Sequence, residues 1–290
     1  MTYFQQLISC IDLHAILASK DLVVLDASIP PVGNMAAPEY SWPEYRLPNA
    51  RRFDLNQDFS DLTSDLPHTM PSATHFEQAA KALGINQQSQ IVVYDDLGLF
   101  SAARVWYMFR AMGHKNIAVL NGGLPYWLKL NKPIADLSVD LHAKQQQVIG
   151  NFIAKEQVGY FCDWREVATQ THSQAELILD ARAERRFKGL DAEPRVGVRS
   201  GHMPNSKNLA YNHLFSQGLF KSPNELAEIF AHINANKQAM IMSCGSGVTA
   251  CVLALAADIV GHKDVRVYDG SWSEWGSLPN TTVKTSTDNI

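Results

Sequence analysis

The strongest constraint on the fold is an internal duplication. Gly113-His114-Lys115 recurs as Gly261-His262-Lys263, and at the same offset of 148 Val119 meets Val267, Gly122 meets Gly270 and Trp127 meets Trp275. Six identities in a window of 15 residues exceed the roughly one that average composition yields by chance. Upstream, Leu25-Asp26-Ala27 echoes Leu179-Asp180-Ala181, and Leu47-Pro48-Asn49 echoes Met203-Pro204-Asn205, with the offset drifting as loop insertions would make it drift. A chain of 290 residues therefore divides into two copies of one unit, each of ordinary domain size.

Each copy carries the same elements in the same order. Apolar runs at Leu22-Val23-Val24-Leu25, Ile91-Val92-Val93-Tyr94 and Ile117-Ala118-Val119-Leu120 read as short buried strands. Their counterparts are Leu177-Ile178-Leu179, Ala239-Met240-Ile241-Met242 and Val265-Arg266-Val267-Tyr268. Helical stretches such as Ser101 to Met112 and Val248 to Ile259 lie between them. Alternation of strand and helix predicts an α/β fold, a parallel sheet with helices on both faces, in each copy. The polar, glutamine-bearing stretch around Gln145-Gln146-Gln147 reads as a linker. The expected division is a domain over 1–137, a linker over 138–156 and a second domain over 157–290.

Composition removes several function classes. With 25 Lys+Arg against 29 Asp+Glu, the chain lacks the basic surface that nucleic-acid binding requires. No apolar run approaches the roughly 18 residues of a membrane span, and the opening Met1-Thr2-Tyr3-Phe4-Gln5-Gln6 has no signal-peptide pattern, so neither a membrane nor a nucleic acid is an expected partner. Four cysteines, Cys10, Cys162, Cys244 and Cys251, are too few for a disulfide framework and lack zinc-ligand spacing, which predicts free thiols in the cytoplasm and no metal.

The copies differ at one loop. A buried strand feeds Asp96-Leu97-Gly98-Leu99-Phe100-Ser101 in the first and, at the offset of 148, Cys244-Gly245-Ser246-Gly247-Val248-Thr249 in the second. Ligands of open α/β sheets gather at the carboxyl ends of strands, and glycines let such a loop turn its N–H groups toward an anion at a helix N-terminus. A cysteine heading that loop is a candidate nucleophile. With Asp96 at its position the first copy has none, so the second is expected to be catalytic and the first scaffold. A phosphatase of this strand–loop–helix kind would need an arginine at the far end of the loop, where Ala250 stands. Cys251 lies two helical turns beyond Cys244 among apolar residues, and it reads as core with Cys10 and Cys162.

With the loop Cys244-Gly245-Ser246-Gly247-Val248-Thr249 and the segment Val267-Tyr268-Asp269-Gly270-Ser271-Trp272-Ser273-Glu274-Trp275, the chain resembles the tandem rhodanese sulfurtransferases along essentially its whole length. The neutral Gly245-Ser246 pair resembles the members that use 3-mercaptopyruvate, since thiosulfate-preferring members carry basic residues after the cysteine. The resemblance implies two rhodanese-like domains, the first non-catalytic. It also implies a reaction without cofactor in which Cys244 takes sulfur from the donor as a persulfide and releases pyruvate. Thioredoxin, a small thiol or cyanide would then accept the sulfur. The loop amides of Gly245, Gly247, Val248 and Thr249 would hold the persulfide, as an oxyanion hole holds oxygen.

The same resemblance implies the remaining site residues. Arg186 in Glu184-Arg185-Arg186-Phe187-Lys188-Gly189 and Arg195 in Glu193-Pro194-Arg195 match the substrate arginines, whose planar forks suit a carboxylate. Ser246 matches the catalytic serine of the loop, and His68 in Pro67-His68-Thr69 matches the histidine, placing the site between the two halves. The family's third member is an acid, but Asn56 stands at its position in Phe53-Asp54-Leu55-Asn56-Gln57, which leaves Asp54 or Asp58 as substitutes and that role open. His202 and the tryptophans Trp127, Trp272 and Trp275 read as packing. Two rival readings remain: a thiosulfate:cyanide sulfurtransferase, and a non-catalytic sulfur carrier or thiol sensor, which Asn56 alone favours.

Overall fold

Apolar residues in unbroken runs must be covered on both faces when they form strands, and that is how the central strands sit. Ile91, Val92, Val93 and Tyr94 are all buried, as are Met240, Ile241, Met242 and Ser243. The computed structural model describes residues 5–29, 45–135, 149–234 and 238–286. By internal contacts these fall into two units, Met1–Asp61 with Met70–Gln157, and Leu62–Thr69 with Val158–Ile290.

The first unit holds β1 (Leu7–Ile8), β2 (Leu22–Asp26), β3 (Arg51–Arg52), β4 (Gln90–Tyr94) and β5 (Ile117–Leu120) in the order β1-β5-β4-β2-β3. The second repeats it with β6 (Phe161–Cys162), β7 (Glu176–Asp180), β8 (Lys207–Asn208), β11 (Ala239–Ser243) and β12 (Val265–Tyr268) in the order β6-β12-β11-β7-β8. Every neighbouring pair in both sheets is parallel. Among the described residues the second unit also holds a short antiparallel hairpin, β9 (Phe215–Ser216) and β10 (Leu219–Phe220). Helices start where polar side chains take up orphan amides: Asp163 with Glu166, and Ser222 with Glu225, each form a reciprocal capping box. Among the described residues no helix is long and apolar enough to cross a membrane.

Two segments depart from the expected division. Leu62–Thr69, which carries His68, groups with the second unit although the first unit resumes at Met70. Of the expected linker, residues 138–148 lie outside the described residues, and the remainder is bound to the first unit. There Gly150 N–H donates to Lys81 O, Phe152 N–H to Ile85 O and Lys155 N–H to Met112 O. Gly150 passes so near the backbone of Ile85 that a Cβ could not fit, and Phe152 is fully buried against Phe76 and Phe109. A polar sequence thus conceals one aromatic anchor that fastens it as a strap.

The sheet register also corrects the match between the loops. Asp26 pairs with Tyr94 and Asp180 with Ser243, and Ala27 N–H donates to Tyr94 O as Ala181 N–H does to Ser243 O, each at 2.8 Å. Tyr94 and Ser243 are therefore equivalent, and Asp95, not Asp96, stands at the cysteine position. A constant offset misses this because the first loop has one residue more, 96–101 against 245–249, before helices that begin at Ala102 and Ala250. The exchange of Tyr94 for Ser243 is balanced on the adjacent strand, where Leu120 is matched by Tyr268. Volume is kept while the bulk moves away from the residue preceding Cys244.

In the first unit this loop closes on its own carboxylate. Asp95 Oδ1 accepts N–H bonds from Leu97 and Leu99 at 3.1 Å, and Oδ2 accepts from Phe100, Ser101 and Ala102 at 2.8, 3.0 and 2.9 Å. Burial pushes the Asp95 carboxyl above its ordinary pKa, with the amide donors pulling it back down. Replacing Asp95 by Ala strands these donors in the interior, so urea unfolding should show a loss of about 3 kcal/mol. Asp95→Asn, which keeps one accepting oxygen, should lose less.

Candidate active site

In the second unit the equivalent loop has a thiol at its head. Cys244 directly follows the central strand β11, is 1 % exposed, and lies six residues before the start of the helix Ala250–Ile259. The loop is fastened from beneath by the segment after β12. Ser271 Oγ accepts the N–H groups of Cys244 at 3.2 Å and Gly247 at 3.1 Å and donates to Tyr268 O at 2.8 Å. Trp272 N–H donates to Cys244 O, and Ser273 N–H to Gly245 O, both at 2.9 Å. Gly247 is needed where it stands because its φ is +73°, a left-handed value unfavourable for other residues.

Ser246 and His68 meet. Ser246 Oγ lies 3.1 Å from His68 Nδ1, and both side chains are buried. His68 itself has φ +60°, an uncommon value for a residue with a Cβ. The turn is braced by its own hydroxyls: Thr69 Oγ1 donates to Leu66 O and shares a hydrogen bond with Ser64 Oγ, which accepts Leu66 N–H. Asn56 belongs to a turn of the first unit in which Asp54 Oδ1 accepts the N–H groups of Asn56 and Gln57. Burial, with the Asp54 charge, raises the pKa of nearby Asp58.

Both substrate-type arginines stand at the same loop. A Cβ on Gly245 would come within 3.4 Å of Arg186 Nη2, so the guanidinium lies against this glycine. Arg186 is held by Glu193 through Nε to Oε1 at 3.3 Å and Nη2 to Oε2 at 2.5 Å. Glu193 is fixed from the other side by buried Arg182, whose Nη1 donates to Oε1 at 2.8 Å. Arg182 also forks onto Asp180 at the end of β7 and lies 4.2 Å above the ring of Trp272. Burial opposes the Arg182 charge, but Asp180 and Glu193 outweigh it and raise its pKa. Arg195 Nη1 donates to Ser273 Oγ at 3.2 Å. Burial lowers the Arg195 pKa and the Arg186 charge adds to this, whereas Cys244 and Glu193 pull it back up. Arg185, by contrast, is turned outward onto Asp191.

The other thiols are placed differently. Burial pushes Cys10 up to about 11 and raises Cys162 further still. Cys251 is fully buried and donates to Gly247 O at 3.2 Å. His202 stacks on Phe187 with ring centroids 4.0 Å apart and holds Phe187 O through Nδ1. Trp272 and Trp275 are buried in the core beside β12, and Trp127 in its counterpart. Among the described residues no group of three or more His, Cys, Asp or Glu could hold a metal ion.

Sequence reasoning assigned the Gly247 amide to the persulfide, but that N–H is given to Ser271. It did not find Ser271, Ser273, Glu193 or the amide of Ala250. The last is the equivalent of Ala102, whose amide binds Asp95 in the first unit. Ser271 and Ser273 sit in a tryptophan-rich run that reads as packing, and only the return of that run beneath the loop gives them a role.

Comparison with known proteins shows the family to which the chain belongs. The model of the rhodanese-like domain matches twice, at residues 9–130 and 163–278. The chain is 39% identical over 269 residues to human 3-mercaptopyruvate sulfurtransferase, covering 91% of this chain and 88% of that protein. It is 40% identical over 261 residues to thiosulfate sulfurtransferase of Cricetulus griseus, covering 88% and 84%. Among solved structures, SseA from Escherichia coli, a 3-mercaptopyruvate sulfotransferase, superimposes with a TM-score of 0.79 at 31% identity, covering 93% of this chain and 99% of that one. Tum1 from Saccharomyces cerevisiae does so with a TM-score of 0.84 at 25% identity, covering 99% of both. The chain belongs to the rhodanese family and carries the family's domain twice.

Proposed function

We propose that the chain is a sulfurtransferase that takes sulfur from 3-mercaptopyruvate through a persulfide on Cys244 and passes it to a thiol or to cyanide. The observation that carries this reading is the equivalence of Cys244 with Asp95. In the first unit the cradle of loop amides holds a carboxylate, and the second unit has a turn one residue shorter at the equivalent place, headed by a thiol. A turn built for an anion favours a thiolate and, after transfer, a persulfide. The amides of Val248, Thr249 and Ala250, equivalent to those on Asp95 Oδ2, would serve it, with Gly245 beside them.

The chemistry follows from the donor. The Cys244 thiolate attacks the thiol sulfur of 3-mercaptopyruvate; the new S–S bond forms as the C–S bond breaks, and its electron pair passes to the enolate of pyruvate. Protonation of that carbon releases pyruvate, and the Ser246–His68 pair is the available proton carrier. Arg186 and Arg195 would hold the donor's carboxylate and carbonyl oxygen. An acceptor thiolate then attacks the outer sulfur and restores Cys244. Thioredoxin or a small thiol suits this step, and a reducing cytoplasm suits a chain whose four cysteines are all free.

Thiosulfate is the second donor to weigh, because relatives of similar identity bear its name. The neutral Gly245-Ser246 pair favours mercaptopyruvate over a dianion. Steady-state turnover of the two donors side by side should show faster use of 3-mercaptopyruvate, with an adduct of about 32 Da on Cys244 by intact mass, one sulfur on the thiolate. Faster thiosulfate turnover would reverse the donor assignment, and no turnover of either would make the chain a carrier. Cys244→Ser should abolish transfer and the adduct together. Arg186→Ala should raise KM for 3-mercaptopyruvate about tenfold or more, the loss of a charge-assisted bond, with a smaller change in kcat.

A further inference from the structure

The two arginines at the loop are held in different ways. Arg186 gives two N–H groups to the Glu193 carboxylate, which offsets part of its charge and fixes its plane. Arg195 gives Nη1 to a neutral hydroxyl, that of Ser273. The same hydroxyl donates to Gly245 O at 2.5 Å, and the Ser273 N–H donates to that carbonyl at 2.9 Å. Ser273 is 5 % exposed, and its backbone is fixed in the helical turn Ser271–Trp275 whose first residue fastens Cys244. One hydroxyl, donating to the loop and accepting from the guanidinium, thereby couples the direction of Arg195 to the residue after the nucleophile. A hydroxyl has the single donor and spare acceptor pair this bridge needs, and alanine has neither.

We propose that Ser273 is a positioning residue that sets Arg195 against the Cys244 loop and so determines the affinity for the carboxylate of an α-keto-acid sulfur donor. This rests on the function proposed above. The Ser273 hydroxyl directs Nη1 of Arg195 without adding a negative charge at that bond, so it does not itself compete with the carboxylate of a donor. Ser273→Ala keeps the backbone N–H bond to Gly245 O, so the loop remains docked while Arg195 loses the bond from Nη1 to the hydroxyl.

The test is a double-mutant cycle on KM and kcat for 3-mercaptopyruvate, using the full chain, with Ser273→Ala, Arg195→Ala and the two combined. The expected result is a KM raised about tenfold by Ser273→Ala, as for one lost hydrogen bond to a charged group, with a smaller change in kcat. Arg195→Ala should raise KM at least as far, and the double variant should match Arg195→Ala alone. An unchanged KM in Ser273→Ala, or effects that multiply in the double variant, would overturn the proposal. A wild-type chain that fails to turn over 3-mercaptopyruvate in the same assay overturns the functional reading, and this inference with it, which separates the two failures.

Discussion

A strand that ends at the centre of a parallel sheet and turns at once into a buried helix leaves several backbone N–H groups aimed at one point in the interior. Some acceptor must stand there. In the first unit it is the Asp95 carboxylate, which takes five of them and closes the loop permanently. In the second, Cys244 stands at the equivalent place, and its own N–H and that of Gly247 are taken by the Ser271 hydroxyl. The two copies thus answer one backbone requirement differently: a carboxylate on five loop amides in the first, and a serine hydroxyl beneath a cysteine-headed loop in the second.

The rest of the site is arranged around that turn by the sheet. β7 lies beside β11 in register, so Asp180 emerges level with Ser243, one residue before Cys244. From Asp180 a chain of ion pairs runs through Arg182 and Glu193 to Arg186, each partner fixed by the one before. Buried ion pairs of this kind add little net stability, since desolvation offsets their attraction, but they hold direction strictly because a broken pair leaves an uncompensated charge. Here the direction held is that of a guanidinium lying against Gly245.

Much of this was legible in the chain. Unbroken apolar strands at a repeated offset implied two parallel sheets, and the glycine-flanked cysteine singled out the second copy. Arg186, Arg195, Ser246 and His68 came from the family resemblance rather than from pattern, because nothing local marks an arginine or a histidine in a loop as functional. The constant offset failed by one residue at the first loop, since a single insertion inside a turn is invisible to identity matching. The polar strap ending at Gln157 read as linker because one buried aromatic, Phe152, is weak signal among glutamines.

The amino-acid order by itself determined the period-bearing features: duplication, strand and helix order, and the identity of the thiol at the strand end. These depend on neighbours in sequence, which one chain displays in full. Tertiary structure alone decided which residue faces the amide cradle, that Leu62–Thr69 joins the second unit with His68, and that Ser271 and Ser273 fasten Cys244 and Arg195. Those depend on contacts between residues tens to more than a hundred positions apart, and hydrogen bonds of about 3 Å are set by packing that no local pattern records.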